Sequence, residues 1–308
     1  MIITYMELSS LTRDLGFSAR ALYAAANHKE SHYHKTKIPK GNGEMRELTV
    51  PDGFMKAIQR RIVEVLLCRE EISPYAKAYR YGTSTRENAA PHLKSEILLK
   101  LDIRQFFDHI IYPIIKEKVF PADRYSEANR VLLSLLCIHK DVLPQGAPTS
   151  PVISNIIMKD FDNTVGEMCR KKGINYTRYC DDMTFSGRDF DPGEIIELVK
   201  NELGKMGLYL NGKKTVIARR GQKQTVTGIV VNEKMNVSAD YRKKLRQELY
   251  YCIKYGVSEH LKRCELDVGE AEYLRTLLGR TNYVLSVDLK NQEMQKYKKW
   301  LAEQLKKI

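Results

Sequence analysis

The sequence lacks the features that mark membrane and secreted proteins. No apolar run among its 308 residues approaches the roughly 18 residues of a membrane span. The opening MIITYMELSS does not have the basic and small-residue pattern of a signal peptide. The six cysteines include no CxxC pair, which argues against a zinc site or a disulfide framework. We therefore expect reduced, mostly buried thiols in a cytoplasmic protein with no membrane partner.

Positive charge, by contrast, is in excess. The chain has 51 Lys and Arg against 38 Asp and Glu, a formal net charge of +13, and a pI near 9.3. Such a surplus suits a polyanionic partner, either nucleic acid or an anionic membrane surface. The 43% hydrophobic content is enough for a sizeable core. Composition therefore favours a folded protein that handles nucleic acid.

The N-terminal region combines helical and polar segments. Residues 7–27 predict two short helices broken at Gly16, with Ser18 as the second N-cap. Their spacing is also compatible with a helix-turn-helix, so a structural brace and a DNA reader both stay open. Residues 28–45 are polar and basic and predict a flexible loop, which leads into a strand at 46–51.

The central region predicts a sheet. ILLKLDI, Ile97–Ile103, is typical of a buried strand, and YTRYCDDMTFSG, Tyr176–Gly187, alternates about a turn as a hairpin does. Asp191 and Pro192 indicate a helix start. Short strands around 208–231 are expected to complete one mixed sheet. From about 236 the pattern is helical, basic and rich in tyrosine, so the fold class is α+β with a helical C-terminal part.

Three aspartates stand where these elements meet. Asp181 and Asp182 are adjacent at the hairpin, and Asp102 ends the apolar strand. Like charges side by side resist burial, so the pair either is a solvated turn or has a cationic partner. The apolar neighbours of the pair favour the second interpretation. If the two elements adjoin, the three carboxylates could bind two Mg²⁺ ions about 3.5–4 Å apart, an arrangement suited to in-line displacement at phosphorus.

Four blocks in order resemble the motifs of reverse transcriptases. They are Asp102 in LDIRQFF, Leu143–Pro151 (LPQGAPTSP), Tyr179–Asp182 (YCDD, the YxDD box) and Gly207–Thr215 (GLYLNGKKT). Together they cover about residues 36–235. Cys180 departs from the alanine more common in bacterial relatives, which leaves the effect on nucleotide selectivity and thiol sensitivity open.

Two further elements resemble those of retron reverse transcriptases: Asn88–His92 (NAAPH, for NAxxH) and Val226–Gly228 (VTG). The resemblance implies a right-hand fingers–palm–thumb polymerase. It places the N-terminal helices and fingers at 1–95, the palm at 96–142 and 156–235, a fingers–palm loop at 143–155, and a helical, RNA-binding thumb at 236–308.

The resemblance also implies roles at the catalytic centre. Asp102 and Asp181 would bridge two Mg²⁺ ions, with Asp182 in support and the Ile103 carbonyl as an extra ligand. Lys214 would protonate the leaving pyrophosphate or act only as a charge partner, and Asn211 would order its loop. We expect Phe107, not Phe106, to face the nucleotide, on the premise that adjacent residues cannot share one pocket. The predicted nucleotide-binding residues are Lys40, Arg46, Phe107, Gln145 and Gly146.

RNA contacts are expected from the two retron elements and the thumb. In the thumb, cations could meet phosphates and tyrosine rings could stack on unpaired bases, although an ordinary amphipathic helix is the simpler alternative. The predicted RNA-binding residues are Asn88, His92, Val226, Thr227, Gly228, Arg242, Lys243, Lys244, Arg246, Tyr250 and Tyr251.

The resemblance implies a retron RNA-directed DNA polymerase that uses dNTPs. It would copy a cognate structured noncoding RNA into multicopy single-stranded DNA, primed from an RNA 2′-hydroxyl. A separate effector protein for phage defence and host RNase H would complete the system. The alternatives are a group II intron, diversity-generating or abortive-infection reverse transcriptase, and a polymerase-derived RNA-binding scaffold for an effector.

Overall fold

A computed structural model describes residues 4–39 and 43–308 of the chain. The chain divides into two compact units. The first contains Met1–Tyr81, Leu99–Phe185 and Asp191–Val216, and the second contains Gly82–Leu98, Ser186–Phe190 and Ile217–Ile308. Within the described ranges, no helix has both the length and the apolar character needed to cross a bilayer.

The helices follow in chain order, and two 3-10 turns lie beside the aspartates singled out from the sequence. The helices are α1 Leu8–Leu15, α2 Ala19–Asn27, α3 Gly53–Ile62, α4 Thr85–Ala89, α5 Tyr112–Lys118, α6 Glu127–Cys137, α7 Ser150–Ile157, α8 Lys159–Lys171, α9 Pro192–Gly204, α10 Ala239–Tyr255, α11 Val257–Arg263, α12 Glu270–Val287 and α13 Gln292–Leu305. The 3-10 turns are Phe107–His109 and Gly212–Lys214.

The strands form three sheets. They are β1 Tyr33–Pro39, β2 Met45–Pro51, β3 Ile97–Asp102, β4 Asn175–Tyr179, β5 Asp182–Gly187, β6 Val216–Arg219, β7 Thr225–Val226, β8 Ile229–Val230 and β9 Asn236–Val237. The sheet orders are β1-β2, β4-β5-β3-β6 and β7-β8-β9. The expected single mixed sheet is therefore wrong in one respect, because β7 and β8 pair with β9 and not with the central strands.

The N-terminal helix pair has the predicted form. Gly16 ends α1 in the left-handed region at φ 76°, and the Ser18 hydroxyl accepts the Ala21 N–H to begin α2. The Arg61 guanidinium on α3 donates to the carbonyls of Asp14 (2.9 Å) and Leu15 (3.3 Å), which lie in the last turn of α1, where a helix leaves its carbonyls without an intrahelical donor. These contacts support the structural brace over the DNA reader.

The predicted loop at 28–45 is wrong at 29–32, a 3-10 helix, and at 33–39, a strand. Residues 33–39 form β1, which pairs antiparallel with β2 from Tyr33↔Pro51 to Pro39↔Met45. Most side chains of β1 are exposed, so the segment has no apolar alternation to mark it as a strand. Its backbone hydrogen bonds to β2 define it, and these are not visible in the residue pattern.

The second unit has its own apolar core. Leu245, Leu249 and Cys252 recur at helical spacing on α10 and are buried. They pack with Leu274 and Leu277 of α12 in one cluster. The opposite side of α10 therefore remains in solvent.

Candidate active site

The aspartate pair lies on a tight hairpin, as predicted. β4 ends at Tyr179 and β5 begins at Asp182, so Cys180 and Asp181 form a two-residue turn. Cys180 has a φ of 62°, an unfavourable region for a residue that is not glycine. Asp181 is therefore the second residue of the turn, and Asp182 is the first residue of β5.

The hairpin lies against the end of β3, which carries Asp102. The Ile103 N–H donates to the Asp181 carbonyl at 3.0 Å, which joins the two elements at the predicted point. Asp102, Ile103, Asp181 and Asp182 line one open cleft with a volume of about 740 Å³. The structure thus brings together the three aspartates that the sequence singled out.

Two side chains from the next segment hold Asp102. The Lys214 ammonium Nζ lies 2.7 Å from Asp102 Oδ2, and the Asn211 amide Nδ2 donates to Asp102 Oδ1 at 3.1 Å. The Asn211 backbone N–H also donates to the Asp102 carbonyl at 2.8 Å. The sequence interpretation limited Asn211 to ordering its loop and missed this direct contact, which no spacing rule would have indicated.

Negative charge concentrates in the cleft. Burial, followed by the nearby charge of Asp181, raises the pKa of the Asp182 carboxyl. The hydrogen bond to Asp102 raises the pKa of the Lys214 ammonium and keeps it charged. The lining has more carboxyl groups than cations, namely Glu44, Glu47, Asp102, Asp108, Asp181 and Asp182 against Arg46 and Lys214. This surplus of negative charge suits a further cation.

The donor set has the chemistry that Mg²⁺ prefers, because carboxylate and carbonyl oxygens are hard ligands. The side chains are not gathered into a closed cage, however. Across residues 4–39 and 43–308, no group of three or more His, Cys, Asp or Glu side chains is arranged to hold a metal ion. One oxygen of Asp102 instead contacts Lys214. The oxygens therefore have the right chemistry for such ions. The Lys214 ammonium competes with a metal ion for one oxygen of Asp102.

Both phenylalanines that follow β3 line the cleft, which corrects the premise that only one could. Phe106 and Phe107 lie on a turn and the start of a 3-10 segment, where side chains do not alternate as they do on a strand. Their ring centroids are 5.4 Å apart at an angle of 50°. Phe107 keeps its predicted place, and Phe106 joins it on the same wall.

The other predicted nucleotide contacts are divided. Arg46 on β2 and Gln145 line the cleft. Gly146 does not line it. An added Cβ there would lie 2.9 Å from the Thr49 carbonyl oxygen, so the glycine permits close approach of β2. Its contact with a nucleotide stays a prediction. Lys40 lies outside the described residues.

The two retron-like elements meet in the second unit. Thr227 and Gly228 join β7 to β8 with φ values of 46° and 83°, the two positive values of a type I′ turn. Positive φ is unfavourable for a β-branched residue. The Asn88 amide donates to Thr227 Oγ1 at 3.4 Å, and Thr227 Oγ1 donates to the Thr85 carbonyl at 3.4 Å. These bonds hold Thr227 in place.

Burial corrects the predicted RNA contacts of this region. Asn88 and His92 are 1% and 0% exposed, and Val226 is also buried. The His92 ring bonds Ser186 at 2.8 Å, and burial lowers the pKa of its imidazole to about 3. These three side chains therefore have no accessible surface for RNA. Of the residues predicted to bind RNA in the two elements, only Thr227 and Gly228 are accessible, and Ala90 and Pro91 of the first element are exposed beside the buried Asn88 and His92.

The predicted thumb face on α10 is largely exposed. Tyr250 and Tyr251 are 50% and 37% exposed, and Lys243 and Lys244 are also in solvent. Lys254 lies 5.5 Å from the Tyr250 ring centroid. One side of the helix thus packs into the core, as the amphipathic alternative predicts, while the other presents rings and cations, and RNA binding by that exposed side stays a prediction.

Two of the predicted cations on this helix have protein partners. The Arg246 guanidinium donates to both carboxylate oxygens of Glu293 at 2.7 and 2.8 Å, and Arg242 donates to the Val237 carbonyl at 3.2 Å. Arg246 therefore connects α10 to α13, which weakens its case as a phosphate contact.

Comparisons with known proteins agree with this geometry. Residues 38–232 match the family model of reverse transcriptase (RNA-dependent DNA polymerase). The chain is 33% identical over 265 residues to the retron Ec83 reverse transcriptase of Escherichia coli, covering 81% of this chain and 82% of the relative. It is 29% identical over 301 residues to the retron Ec86 reverse transcriptase of Escherichia coli, covering 92% and 85%.

A third relative is longer than this chain. Identity to the retron Mx65 reverse transcriptase of Myxococcus xanthus is 33% over 237 residues, covering 71% of this chain. The match spans 56% of that relative, just over half of its length.

A solved structure shares the fold. Apo telomerase from Candida tropicalis, truncated from its C-terminal domain, superposes with a TM-score of 0.50 at 15% identity, covering 77% of this chain and 63% of that chain. This likeness confirms the predicted α+β, right-hand polymerase fold. The boundaries of fingers, palm and thumb stay a prediction.

Proposed function

This chain belongs to the reverse transcriptase family and to its retron type, and from that premise we propose that it copies a cognate structured noncoding RNA into single-stranded DNA. The observation that carries the proposal is the single cleft lined by Asp102, Asp181 and Asp182. Arg46 and Gln145 on its walls supply groups for a nucleotide substrate. The substrates are dNTPs and the RNA template.

The reaction requires a divalent cation, generally Mg²⁺. We assign Asp102 and Asp181 as the main ligands of two ions, with Asp182 and the Ile103 carbonyl in support. When bound, such ions lower the pKa of the attacking hydroxyl and neutralise charge on the leaving pyrophosphate.

The walls of the cleft orient the nucleotide. The Arg46 guanidinium can bind triphosphate oxygens bidentately, with Lys40 as a second cation. Phe107 packs beneath the sugar and excludes a 2′-hydroxyl, and Phe106 supports its ring from 5.4 Å. Gln145 contacts the base or template, while Gly146 sets its loop against β2.

Lys214 supplies the proton for the leaving group. Its raised pKa keeps the ammonium protonated at neutral pH, so the proton is present before the nucleotide arrives. The ammonium has three N–H donors, of which one contacts Asp102 at 2.7 Å, so another can be directed to a phosphate oxygen.

The RNA partner lies along the exposed face of α10. Lys243 and Lys244 meet phosphates, and Tyr250 and Tyr251 stack on unpaired bases. The exposed turn at Thr227 and Gly228 adds a backbone contact. A structured RNA with single-stranded loops suits this combination of rings and cations.

The finer retron chemistry rests on the family alone. In this proposal the primer is a 2′-hydroxyl within the RNA, and the product is multicopy single-stranded DNA linked to it. The work takes place in the cytoplasm, host RNase H removes template, and a separate effector protein uses the complex in phage defence.

The test is to express the gene with its native flanking DNA and extract nucleic acid from the purified protein. The double variant Asp181→Asn, Asp182→Asn is compared with Asp189→Asn, Asp267→Asn, which removes two exposed aspartates outside the cleft. Samples are run on a denaturing gel before and after RNase and DNase.

We expect a discrete DNase-sensitive band, shifted by RNase, in the wild type and in the exposed-aspartate control. It should be absent from the cleft variant. Bound RNA without DNA in all three samples would overturn the polymerase proposal and leave the scaffold. A DNA product that RNase does not shift would instead point to one of the other bacterial lineages.

A further inference from the structure

A buried ion pair lies directly behind the aspartate hairpin and takes no part in the proposed chemistry. Arg178 on β4 and Asp162 on α8 both have side chains with 0% exposure, and their closest N–O distance is 2.6 Å. Arg178 stands two residues before the turn that carries Asp181. Its position alone makes it a neighbour of the site.

The partners of Asp162 and Arg178 form a closed network. The guanidinium donates from Nε and Nη2 to both Asp162 oxygens, and Nη2 also donates to Asn155 Oδ1 at 3.1 Å. The Tyr176 hydroxyl donates to Asp162 Oδ1 at 2.8 Å. The Asn155 amide in turn donates to the Ala78 carbonyl at 2.9 Å. The guanidinium is therefore fixed from several directions.

One remaining donor points to the turn. Arg178 Nη1 donates to the Cys180 carbonyl at 2.8 Å. That carbonyl belongs to the peptide that links Cys180 to Asp181, and Cys180 has the unfavourable φ of 62°. The hydrogen bond therefore fixes the orientation of the peptide that carries the aspartate.

Stability does not explain this arrangement. Two buried charges lose their hydration, and apolar residues of similar volume are often equally stable in their place. Lysine could pair with Asp162 but would lack the planar fork that reaches a carboxylate and a carbonyl together. Arginine at this position can hold the Asp162 carboxylate and the Cys180 carbonyl in a fixed relative orientation.

We propose that Arg178 is a positioning residue for nucleotidyl transfer, which through the Cys180 carbonyl keeps Asp181 in register with Asp102. Asp162, Tyr176 and Asn155 hold the guanidinium for this purpose. The inference rests on the proposed function, because it concerns the same carboxylates. It adds a network that contacts neither nucleotide nor metal.

The test compares Arg178→Lys with Arg130→Lys. Arg130 is a matched control in the same unit: it is 6% exposed, pairs with Glu117 and Glu127 and donates to the Phe120 carbonyl at 2.7 Å, but does not line the cleft. For each variant we would measure Mn²⁺ affinity by electron paramagnetic resonance without substrate, the thermal midpoint, and kcat and KM for dTTP on poly(rA) primed with oligo(dT).

We expect Arg178→Lys to lower Mn²⁺ affinity and kcat by about 10- to 100-fold, as loss of a residue that orients a ligand does. Arg130→Lys should lower the thermal midpoint but leave both values at the wild-type level. A folded Arg178→Lys protein with wild-type Mn²⁺ affinity and kcat would overturn the inference.

A second variant covers the case in which Arg178→Lys fails to fold. Arg178→Met combined with Asp162→Leu and Tyr176→Phe removes both charges and also the buried hydroxyl that would lose its acceptor, so it should fold. It should still lose Mn²⁺ affinity, and retained affinity would contradict the proposal. If the wild type itself makes no DNA, the polymerase proposal fails, while the Mn²⁺ titrations still decide the role of Arg178.

Discussion

His92 is fully buried and Cys180 is half-buried, and burial has opposite effects on their pKa values. Burial lowers the pKa of His92 to about 3, because the imidazolium would lose its hydration. Burial, followed by the charge of Asp181, raises the pKa of the Cys180 thiol to about 11. Both side chains are therefore neutral at pH 7, which bears on stability in one case and on reactivity in the other.

The first prediction concerns acid stability. The unfolded chain protonates His92 near pH 6.5, whereas the folded protein does so only near pH 3. The stability that neutral His92 gives the folded protein is therefore complete above pH 6.5. As the pH falls from 6.5 towards 3, the free energy of unfolding decreases by about 1.4 kcal/mol per pH unit. Urea unfolding at pH 7, 6 and 5 should show this slope, and His92→Asn should reduce it. Replacement of the exposed His28 by Asn is the control, and an identical slope in His92→Asn would contradict the assignment.

The second prediction concerns the thiol in the YxDD box. Because its pKa is raised, Cys180 is almost entirely protonated at pH 7.5 and should resist iodoacetamide. The exposed Cys68 and Cys264 should be alkylated first, with polymerase activity retained. Mass spectrometry of the folded and urea-unfolded protein would show this order. Labelling of Cys180 as fast as Cys68 in the folded protein would refute it.

At the scale of elements, two helical glycines have opposite surroundings. An alanine Cβ at Gly166 on α8 would overlap the Tyr75 ring, whereas one at Gly279 on α12 would meet nothing within 4 Å. We expect Gly166→Ala to destabilise by about 1–3 kcal/mol through overpacking. Gly279→Ala should stabilise by about 0.5–1 kcal/mol, because alanine favours the helix. Urea denaturation measures both, and equal signs would show that the packing at Gly166 differs from this structure.

Local signals predicted some elements and not others. Asp191 and Pro192 begin α9 as expected, with the Asp191 carboxylate accepting the Gly193 N–H. The 175–187 hairpin follows from its alternation about Cys180 and Asp181. β1 was missed because its polar side chains carry no period. The sequence pattern does not predict the sheet of β7 and β8, since two-residue strands have too few side chains to specify a partner.

At the scale of the whole molecule, the net charge of +13 makes RNA binding dependent on salt. We expect Lys243→Gln, Lys244→Gln to weaken binding of the cognate RNA and to reduce the slope of log affinity against log salt by about one for each phosphate left without its lysine. Lys298→Gln, Lys299→Gln on α13 removes the same charge from another exposed pair. Filter binding from 50 to 300 mM salt, about the range where phosphate binding responds to salt, would compare them. Equal slopes in the two double variants would exclude a special role for α10.

The site as a whole could be predicted only in part. The motif aspartates were found because their residue types and order are visible along the chain. Other features depend on which backbone segments come together in the fold. They are the contact of Asn211 with Asp102, the cleft wall shared by Phe106 and Phe107, and the burial of Asn88 and His92. The Arg178 network is of the same kind, since Asp162, Asn155 and Ala78 are distant from it along the chain.

The hydrogen bond between Asn88 and Thr227 spans 139 positions of sequence. The NAxxH and VTG elements, which are far apart along the chain, thus form one structural unit. Asn88 of the first element supports the strained turn of the second. This contact has a consequence for the design of chimeric enzymes. A chimera that exchanges template preference between two retron enzymes should take both segments from the same parent. If the turn came from one parent and its supporting segment from the other, the hydrogen bond between them would not be matched.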